Sequence, residues 1–277
     1  MPPAVGRLAP TPSGHLHLGN ALAFAAAWLS VRAARGRLLL RVEDLDRGRA
    51  RAEVAAGQRE DLGWLGLAWD EEVAPQSARR YSLDGIPTYR CACTRAARLA
   101  RACRCRDAPA ARGAWRFRTP PGAVAFVDRA LGPQAIAPDD DPVLMRPDGE
   151  AGYPLAVVAD DAKDGVTEVV RGADLLAATA VQLRLHEVLG LRPPSYLHVP
   201  LLLGPDGKKL SKSHGATELG ALRAAGWTAA RVWAALMPLL GLPPVPPAAL
   251  PPGAALDPAR VAAGPFVVLP DGRIRRP

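Results

Sequence analysis

A short apolar stretch at residues 5–10 hands over to an Ala/Leu-rich stretch, Leu18 to Arg35, through Pro10-Thr11-Pro12-Ser13-Gly14-His15-Leu16-His17. No other feature of the chain constrains its fold as much as this join. The first stretch reads as a strand and the second as a helix, which Gly36 is placed to stop. A second apolar strand follows at Arg37 to Val42, closed by acidic Glu43-Asp44-Leu45-Asp46, and a second helix covers Arg51 to Leu65. Strand, turn, helix and strand in this order predict a crossover in a parallel sheet, so an α/β nucleotide-binding domain is expected. Small residues at the join let backbone approach a phosphate, and the helix N-terminus offers free N–H groups at the positive end of its dipole. An ordinary capped helix start would use the same residues. The spacing is neither Gly-x4-Gly-Lys nor Gly-x-Gly-x-x-Gly, so neither of those phosphate-binding fingerprints is present.

The α/β pattern resumes near Val143. Tyr153 to Ala159 reads as an apolar strand closed by Asp160-Asp161, Val166 to Val170 as another, and Asp174 to Leu189 as a helix. Tyr196 to Leu203 reads as a strand entering the loop Gly204-Pro205-Asp206-Gly207-Lys208-Lys209-Leu210-Ser211-Lys212-Ser213. Of the 35 basic residues only four are lysines, and three of those (Lys208, Lys209 and Lys212) crowd this loop. Such a loop can close over a triphosphate and neutralise charge on a departing pyrophosphate; a solvated basic turn is the other reading. Two short helices, Thr217 to Ala225 and Thr228 to Leu240, precede a proline-rich stretch from Gly241 that is expected to be irregular or partly mobile. Trp64, Trp69, Trp227 and Trp233 read as packing residues.

All four cysteines fall within fifteen residues, as Cys91-Ala92-Cys93 and Cys103-Arg104-Cys105. Four thiolates satisfy a closed tetrahedral site, so one structural zinc is expected there rather than disulfides. Nine arginines between Arg90 and Arg118 face a single acid, Asp107. They read either as a phosphate-contacting stripe or as compositional bias, and the net charge of +8 leaves the same two readings open. No apolar run approaches the roughly 18–20 residues of a membrane span and no secretory leader is evident, so a soluble cytoplasmic protein is expected. The sequence divides into 1–85 and 143–213 as two halves of a catalytic domain, 86–142 as a zinc-bearing insertion, 214–241 as a short helical region, and 242–277 as a proline-rich tail.

Two motifs about 190 residues apart, His17-Leu18-Gly19-Asn20 and Lys209-Leu210-Ser211-Lys212-Ser213, resemble the paired HIGH and KMSKS signatures of class I aminoacyl-tRNA synthetases. Arg7 to Gly14, Arg41 to Asp46, Gln76-Ser77-Ala78-Arg79, Tyr153 to Asp161 and Val169 to Leu175 narrow the resemblance to the glutamyl/glutaminyl subgroup. Little more than sixty residues follow the lysine loop, too few for a long anticodon-binding part. A shortened enzyme with a cysteine-rich insertion is similar to the glutamyl-queuosine tRNA(Asp) synthetase family. The resemblance implies a class I Rossmann-like domain with a parallel sheet, a zinc-bearing insertion and a short helical C-terminal part. It also implies ATP-dependent activation of L-glutamate, with Mg2+ on the nucleotide, and transfer to queuosine in the anticodon loop of tRNA(Asp) by a monomer. Two alternatives stand beside it: a remnant glutamyl-tRNA synthetase charging a 3′ end, and a non-catalytic zinc-bearing RNA-binding protein.

Glutamate carries two carboxylates and an ammonium, and planar guanidinium forks suit carboxylates. The resemblance assigns Arg7 and Arg171 to the carboxylates, Glu43 to the ammonium, Tyr153 as a hydroxyl partner, and Ala9 and Thr11 to the same pocket. It assigns His17, Gly19, Asn20, Lys209, Ser211 and Lys212 to ATP, with His17, Lys212 and Lys209 stabilising charge in the reaction. Asp44 and Asp46 read as structural or helix-capping, and Asp160 and Asp161 as metal-linked or as a strand-end turn. The family's metal pattern is Cys-x-Cys followed by Tyr-x3-Cys. Arg101 stands at the tyrosine's place and cannot ligate, so Cys103 is expected to join Cys91, Cys93 and Cys105. Only eleven residues separate Arg79 from Cys91, where the family normally carries a helix.

Overall fold

The computed structural model describes residues 3–99, 103–210, 215, 217–251, 254–269 and 272–277 of the 277. In chain order the first elements are β1 (Val5–Leu8), α1 (Leu18–Ala33), β2 (Arg37–Leu40), α2 (Ala52–Trp64) and β3 (Glu71–Glu72). Next come β4 (Thr88–Cys91), α3 (Arg95–Leu99), β5 (Ala114–Phe117), β6 (Val124–Asp128), β7 (Gly132–Ile136) and β8 (Val143–Met145). α4 (Tyr153–Lys163), β9 (Glu168–Gly172), α5 (Leu176–Val188), β10 (Ser195–Val199) and β11 (Leu202–Leu203) follow, then α6 (Leu219–Ala224), α7 (Ala229–Leu236), β12 (Phe266–Val268) and β13 (Ile274–Arg275).

β1, β2 and β3 pair in parallel, as do β9, β10 and β6, with β7 antiparallel at the far edge. The two sets meet where Thr167 N donates to Val5 O at 2.9 Å, so the strands read β3-β2-β1-β9-β10-β6-β7. The expected α/β architecture with a parallel sheet is therefore present. Strand order reverses between β1 and β9, and ligands of such sheets bind at the carboxyl ends of the strands at that point.

Both faces of the sheet are covered, which is why its strands read as unbroken apolar runs. Leu38, Leu40, Val170 and Leu197 face a core built with α1 and α7, while Leu39, Val169 and Tyr196 face the opposite side. The alanines of α1 let it lie close against the strands, and ten of its residues are buried. The helix ends with Arg35 at φ +51°, and the chain then turns directly into β2. Gly36 is needed for a different reason than stopping the helix: a Cβ there would stand 2.2 Å from Ala4 O.

Three local readings change. Tyr153 to Ala159 is not a strand but the first two turns of α4, with Pro154 in its opening turn. A short apolar run suits either state, and proline in the first helical turn removes no hydrogen bond. Asp160 and Asp161 are consequently buried on a helix rather than closing a strand. The run from Tyr196 to Leu203 is interrupted after Val199, where Pro200 supplies no donor, and resumes as β11. The proline-rich stretch follows an irregular path but is anchored: Leu242, Leu256, Val261 and Phe266 are buried in the main core, and β12 pairs in parallel with β11.

Strand pairing also runs across the segment 86–142. β4, β5 and β8 form a small antiparallel sheet, whereas β6 and β7 join the main sheet at β10. Trp233 is buried, its Nε1 donating to Leu65 O at 3.0 Å, and Trp64, Trp69 and Trp227 pack partly buried against the same core. No helix among the described residues is long and apolar enough to cross a membrane.

Candidate active site

A cleft of about 540 Å³ opens at the carboxyl ends of β1 and β9. Every sequence-assigned glutamate residue lines it: Arg7 and Ala9 from β1 and its exit, Thr11 from the turn, Glu43 beyond β2, Tyr153 from α4 and Arg171 from β9. His17, Gly19, Asn20 and Lys209 line the same cleft. Ser211 and Lys212 lie outside the described residues.

One side of the cleft is built by the start of α1. His17 caps this helix: its Nδ1 accepts from Gly19 N at 3.1 Å and Asn20 N at 3.3 Å, while Asn20 Oδ1 accepts from His17 N at 3.1 Å. Capping and ligand binding are compatible, because commitment of Nδ1 as an acceptor puts the neutral ring's hydrogen on Nε2. A Cβ on Gly19 would sit 3.0 Å from the His17 ring, so the glycine makes room for the cap. Gln58, buried on α2, donates from Nε2 to Thr11 O at 3.0 Å and Gly14 O at 2.8 Å and so holds the turn in place. Across the cleft, Lys209 is paired with Asp174.

The other side is built around buried charge. Arg7 Nε lies 3.2 Å from Asp161 Oδ1, and Arg41 Nη2 reaches the same atom at 2.6 Å. Arg41, fully buried, also donates to Asp164 at 2.9 Å and to Glu43 at 3.4 Å. Burial pushes the Glu43 carboxyl above its ordinary value, opposed by the nearby Arg41 and Arg7 guanidinium groups. Asp160 accepts from Gln76 at 2.8 Å and Tyr81 at 3.0 Å, and Arg79 spans Asp160 and Asp164. Asp44 accepts from Ser77 N at 2.8 Å and Ser77 Oγ at 2.6 Å. The Gln76-to-Arg79 motif thus buttresses the acidic end of α4, and Asp160 and Asp161 are ion-pair anchors rather than metal ligands.

Arg171 donates to Tyr153 Oη at 3.2 Å, to Thr179 Oγ1 at 2.7 Å and to His198 Nε2 at 3.2 Å. Sequence reading found Arg171 and Tyr153 but not Thr179, His198, Gln58, Asp161 or Arg41 as parts of one apparatus. Thr179 stands eight residues from Arg171, but the other four act through contacts between segments far apart in the chain, for which no local pattern exists.

Away from the cleft, the four cysteine sulfurs all lie within 4.8 Å of one another, with Cys91–Cys103 at 3.7 Å and Cys93–Cys105 at 3.6 Å. A tetrahedral ion bound by four sulfurs at about 2.3 Å has sulfur–sulfur edges of about 3.8 Å, so the set fits one metal ion. The arginines around the cluster are largely tied down within it: Arg98 pairs with Asp140, Arg106 with Asp141, and Arg116 with the Asp141 carbonyl. Arg90 lies over Trp115 at 4.4 Å and Arg118 over Tyr89 at 5.2 Å.

A family model described as tRNA synthetases class I (E and Q), catalytic domain, matches residues 4–88 and 95–245. The glutamyl-Q tRNA(Asp) synthetase of Nitratidesulfovibrio vulgaris is 43% identical, over 86% of this chain and 87% of that protein. That of Nocardia farcinica is 42% identical, over 98% and 94% respectively. Among solved structures, a glutamate tRNA ligase from Elizabethkingia meningosepticum superposes with a TM-score of 0.73 at 24% identity, covering 94% of this chain and 64% of that one. The glutamate-tRNA synthetase of Elizabethkingia anophelis gives a TM-score of 0.66 at 26% identity, covering 76% of this chain and 53% of that one.

Proposed function

We propose that this chain, which belongs to the class I tRNA synthetases of the E and Q type, activates L-glutamate with ATP and transfers it to queuosine in tRNA(Asp). The observation that carries the reading is the charge pattern of the cleft. Two guanidinium groups and one buried carboxylate face the capped N-terminus of α1, matching an amino acid with two carboxylates and an ammonium beside a polyphosphate. Relatives named glutamyl-Q tRNA(Asp) synthetase, matched over most of their own length, support queuosine as the acceptor.

In this reading Arg7 and Arg171 bind the glutamate carboxylates and Glu43 its ammonium. The α-carboxylate oxygen attacks the α-phosphorus of Mg2+-bound ATP in line, and the bond to pyrophosphate breaks. The protein aligns the reactants and stabilises charge. His17 offers its Nε2 hydrogen to the phosphates, and Lys209 exchanges Asp174 for the nucleotide. Lys212 and Ser211 complete the lysine loop over the leaving pyrophosphate. Acyl transfer to the modified base then releases AMP. Zinc on Cys91, Cys93, Cys103 and Cys105 holds the small sheet of β4, β5 and β8 and takes no part in the chemistry. The enzyme acts as a monomer in the cytoplasm.

Pyrophosphate exchange into ATP with glutamate, in the absence of tRNA, tests the activation step. The reading expects exchange without tRNA, and expects Arg171→Ala to raise the glutamate requirement far more than the ATP requirement. Exchange that needs tRNA would favour a glutamyl-tRNA synthetase remnant. Equal effects of Arg171→Ala on both substrates would remove its pocket role.

A further inference from the structure

Arg171 and His198 sit opposite each other on adjacent strands, as register partners of β9 and β10. The Arg171 Nε is 3.2 Å from His198 Nε2, and His198 Nδ1 is 2.6 Å from Asp128 Oδ2. His198 and the neighbouring Thr179 are fully buried, and Asp128 is almost so. These contacts fix a protonation state. A guanidinium only donates, so the nitrogen facing it must accept and carries no hydrogen. A carboxylate accepts, so the ring's single hydrogen sits on Nδ1. His198 is therefore neutral and locked as the Nδ1–H tautomer. Burial depresses its basicity as well, consistent with an uncharged ring beside a cation.

Asp128 is itself held. Its Oδ1 accepts from Leu131 N at 2.9 Å, Ala130 N at 3.0 Å and His198 N at 3.3 Å. Burial pushes its carboxyl up, but the His198 ring and these amides keep it below its ordinary value. Asp128 ends β6, so the strand that returns from the cysteine-bearing segment to the main sheet delivers the anchor of the chain. Arg171 is thus held by His198 at Nε, by Tyr153 at Nη1 and by Thr179 at Nη2, with its carbon over the Tyr196 ring at 5.3 Å. A fork fixed on its Nε side can present its remaining N–H groups to a carboxylate in one orientation only.

We propose that His198 and Asp128 are positioning residues for substrate recognition: Asp128 sets the tautomer of His198, and His198 orients Arg171 toward a substrate carboxylate. This rests on reading Arg171 as a carboxylate ligand. Neither residue touches substrate, so the effect is on amino-acid recognition and not on nucleotide binding.

The test is glutamate-dependent pyrophosphate exchange by the full chain, with KM read separately for glutamate and ATP. His198→Leu leaves Nε unpaired and is expected to raise the glutamate KM by about tenfold or more, with the ATP KM and kcat changed by less than about twofold. His198→Gln, whose amide oxygen can accept from Nε, should recover most of that loss, and Asp128→Asn should fall between the two. Equal changes for both substrates, no change in either, or no recovery in His198→Gln would overturn the relay while leaving the function standing. Wild-type protein with no glutamate-dependent exchange would instead remove the function reading, and the relay with it. Nitrogen-15 NMR of histidine-labelled wild-type protein keeps the test independent of how the variants fold. A bare Nε2 and protonated Nδ1 on His198 are expected, and an Nε2–H tautomer or an imidazolium would overturn the proposal.

Discussion

Glu43 shows at the scale of one residue how binding and stability pull apart. Its folded pKa is raised, so its contribution to stability is fully present below the unfolded carboxylate value and is lost as pH rises through the folded one. At neutral pH the ionised side chain therefore costs stability, and under the proposed function its place in the cleft is explained by the glutamate ammonium it would bind. Glu43→Gln should hold or raise the melting temperature at pH 7 while weakening glutamate binding by about 2–5 kcal/mol. A clear loss of thermal stability with binding unchanged would contradict this role. As pH falls, glutamate affinity should drop at a higher pH than an ordinary carboxylate would cause. Residues of this kind were legible in the sequence because they sit in motifs that resemble the family's: Arg7, Glu43 and Arg171 stand at or just beyond strand ends, Arg7 beside Gly6 and Arg171 beside Gly172. His198 and Asp128 carry no such mark, since they are 70 residues apart and ordinary in isolation.

Among the elements, α4 is the informative one. Its opening residues, Tyr153 to Ala159, suit a strand as well as a helix, and only the buried acids beyond them decide. Asp160 and Asp161 can be buried because Arg7, Arg41, Arg79, Gln76 and Tyr81 converge on them from three other segments. That convergence is a tertiary fact that no window of sequence contains. Asp161 is held below its ordinary value despite its burial, which acts the other way, chiefly by Arg7 and Arg41. Its stabilisation is therefore present above the unfolded carboxylate range and lost as pH falls through the lowered folded value. Asp161→Asn should destabilise the protein by about 3–5 kcal/mol in denaturant unfolding, because two buried cations lose a shared partner. An unchanged midpoint would mean that Asp164 and Glu43 suffice for Arg41. By contrast α1 and the strands beside it were readable within a residue or two, because their apolar runs, small-residue turn and flanking glycine all point the same way.

At the scale of the whole molecule, the large parallel sheet and the small antiparallel sheet are held together differently. The parallel sheet draws its stability from apolar cores on both faces, whereas the small sheet of β4, β5 and β8 packs Phe117 and Leu144 into a separate core with α4 and is tied further by Asp141, which accepts from Tyr89 Oη at 2.9 Å and Thr119 N at 3.0 Å, and by the cysteine cluster. The zinc reading therefore predicts about one zinc per chain, reduced by Cys103→Ser. A strong chelator should speed amide exchange in residues 88–118 while β1, β2 and β9 stay protected. Uniform loss of protection would contradict the separation of the two sheets. Cysteine spacing disclosed the cluster, but the return of the chain as β6, which joins β10 and carries β7 at the sheet edge, was not legible, since its pairing with β10 rests on a strand about 70 residues later.

Whether this catalytic unit places glutamate on a modified base is decided by incubating the purified protein with labelled glutamate, ATP and two preparations of tRNA(Asp), with and without queuosine. Label is expected on the queuosine-bearing tRNA alone, released by mild base without deacylation of a 3′ end. Label on tRNA(Glu) irrespective of modification, or no label with glutamate activation also absent, would contradict it.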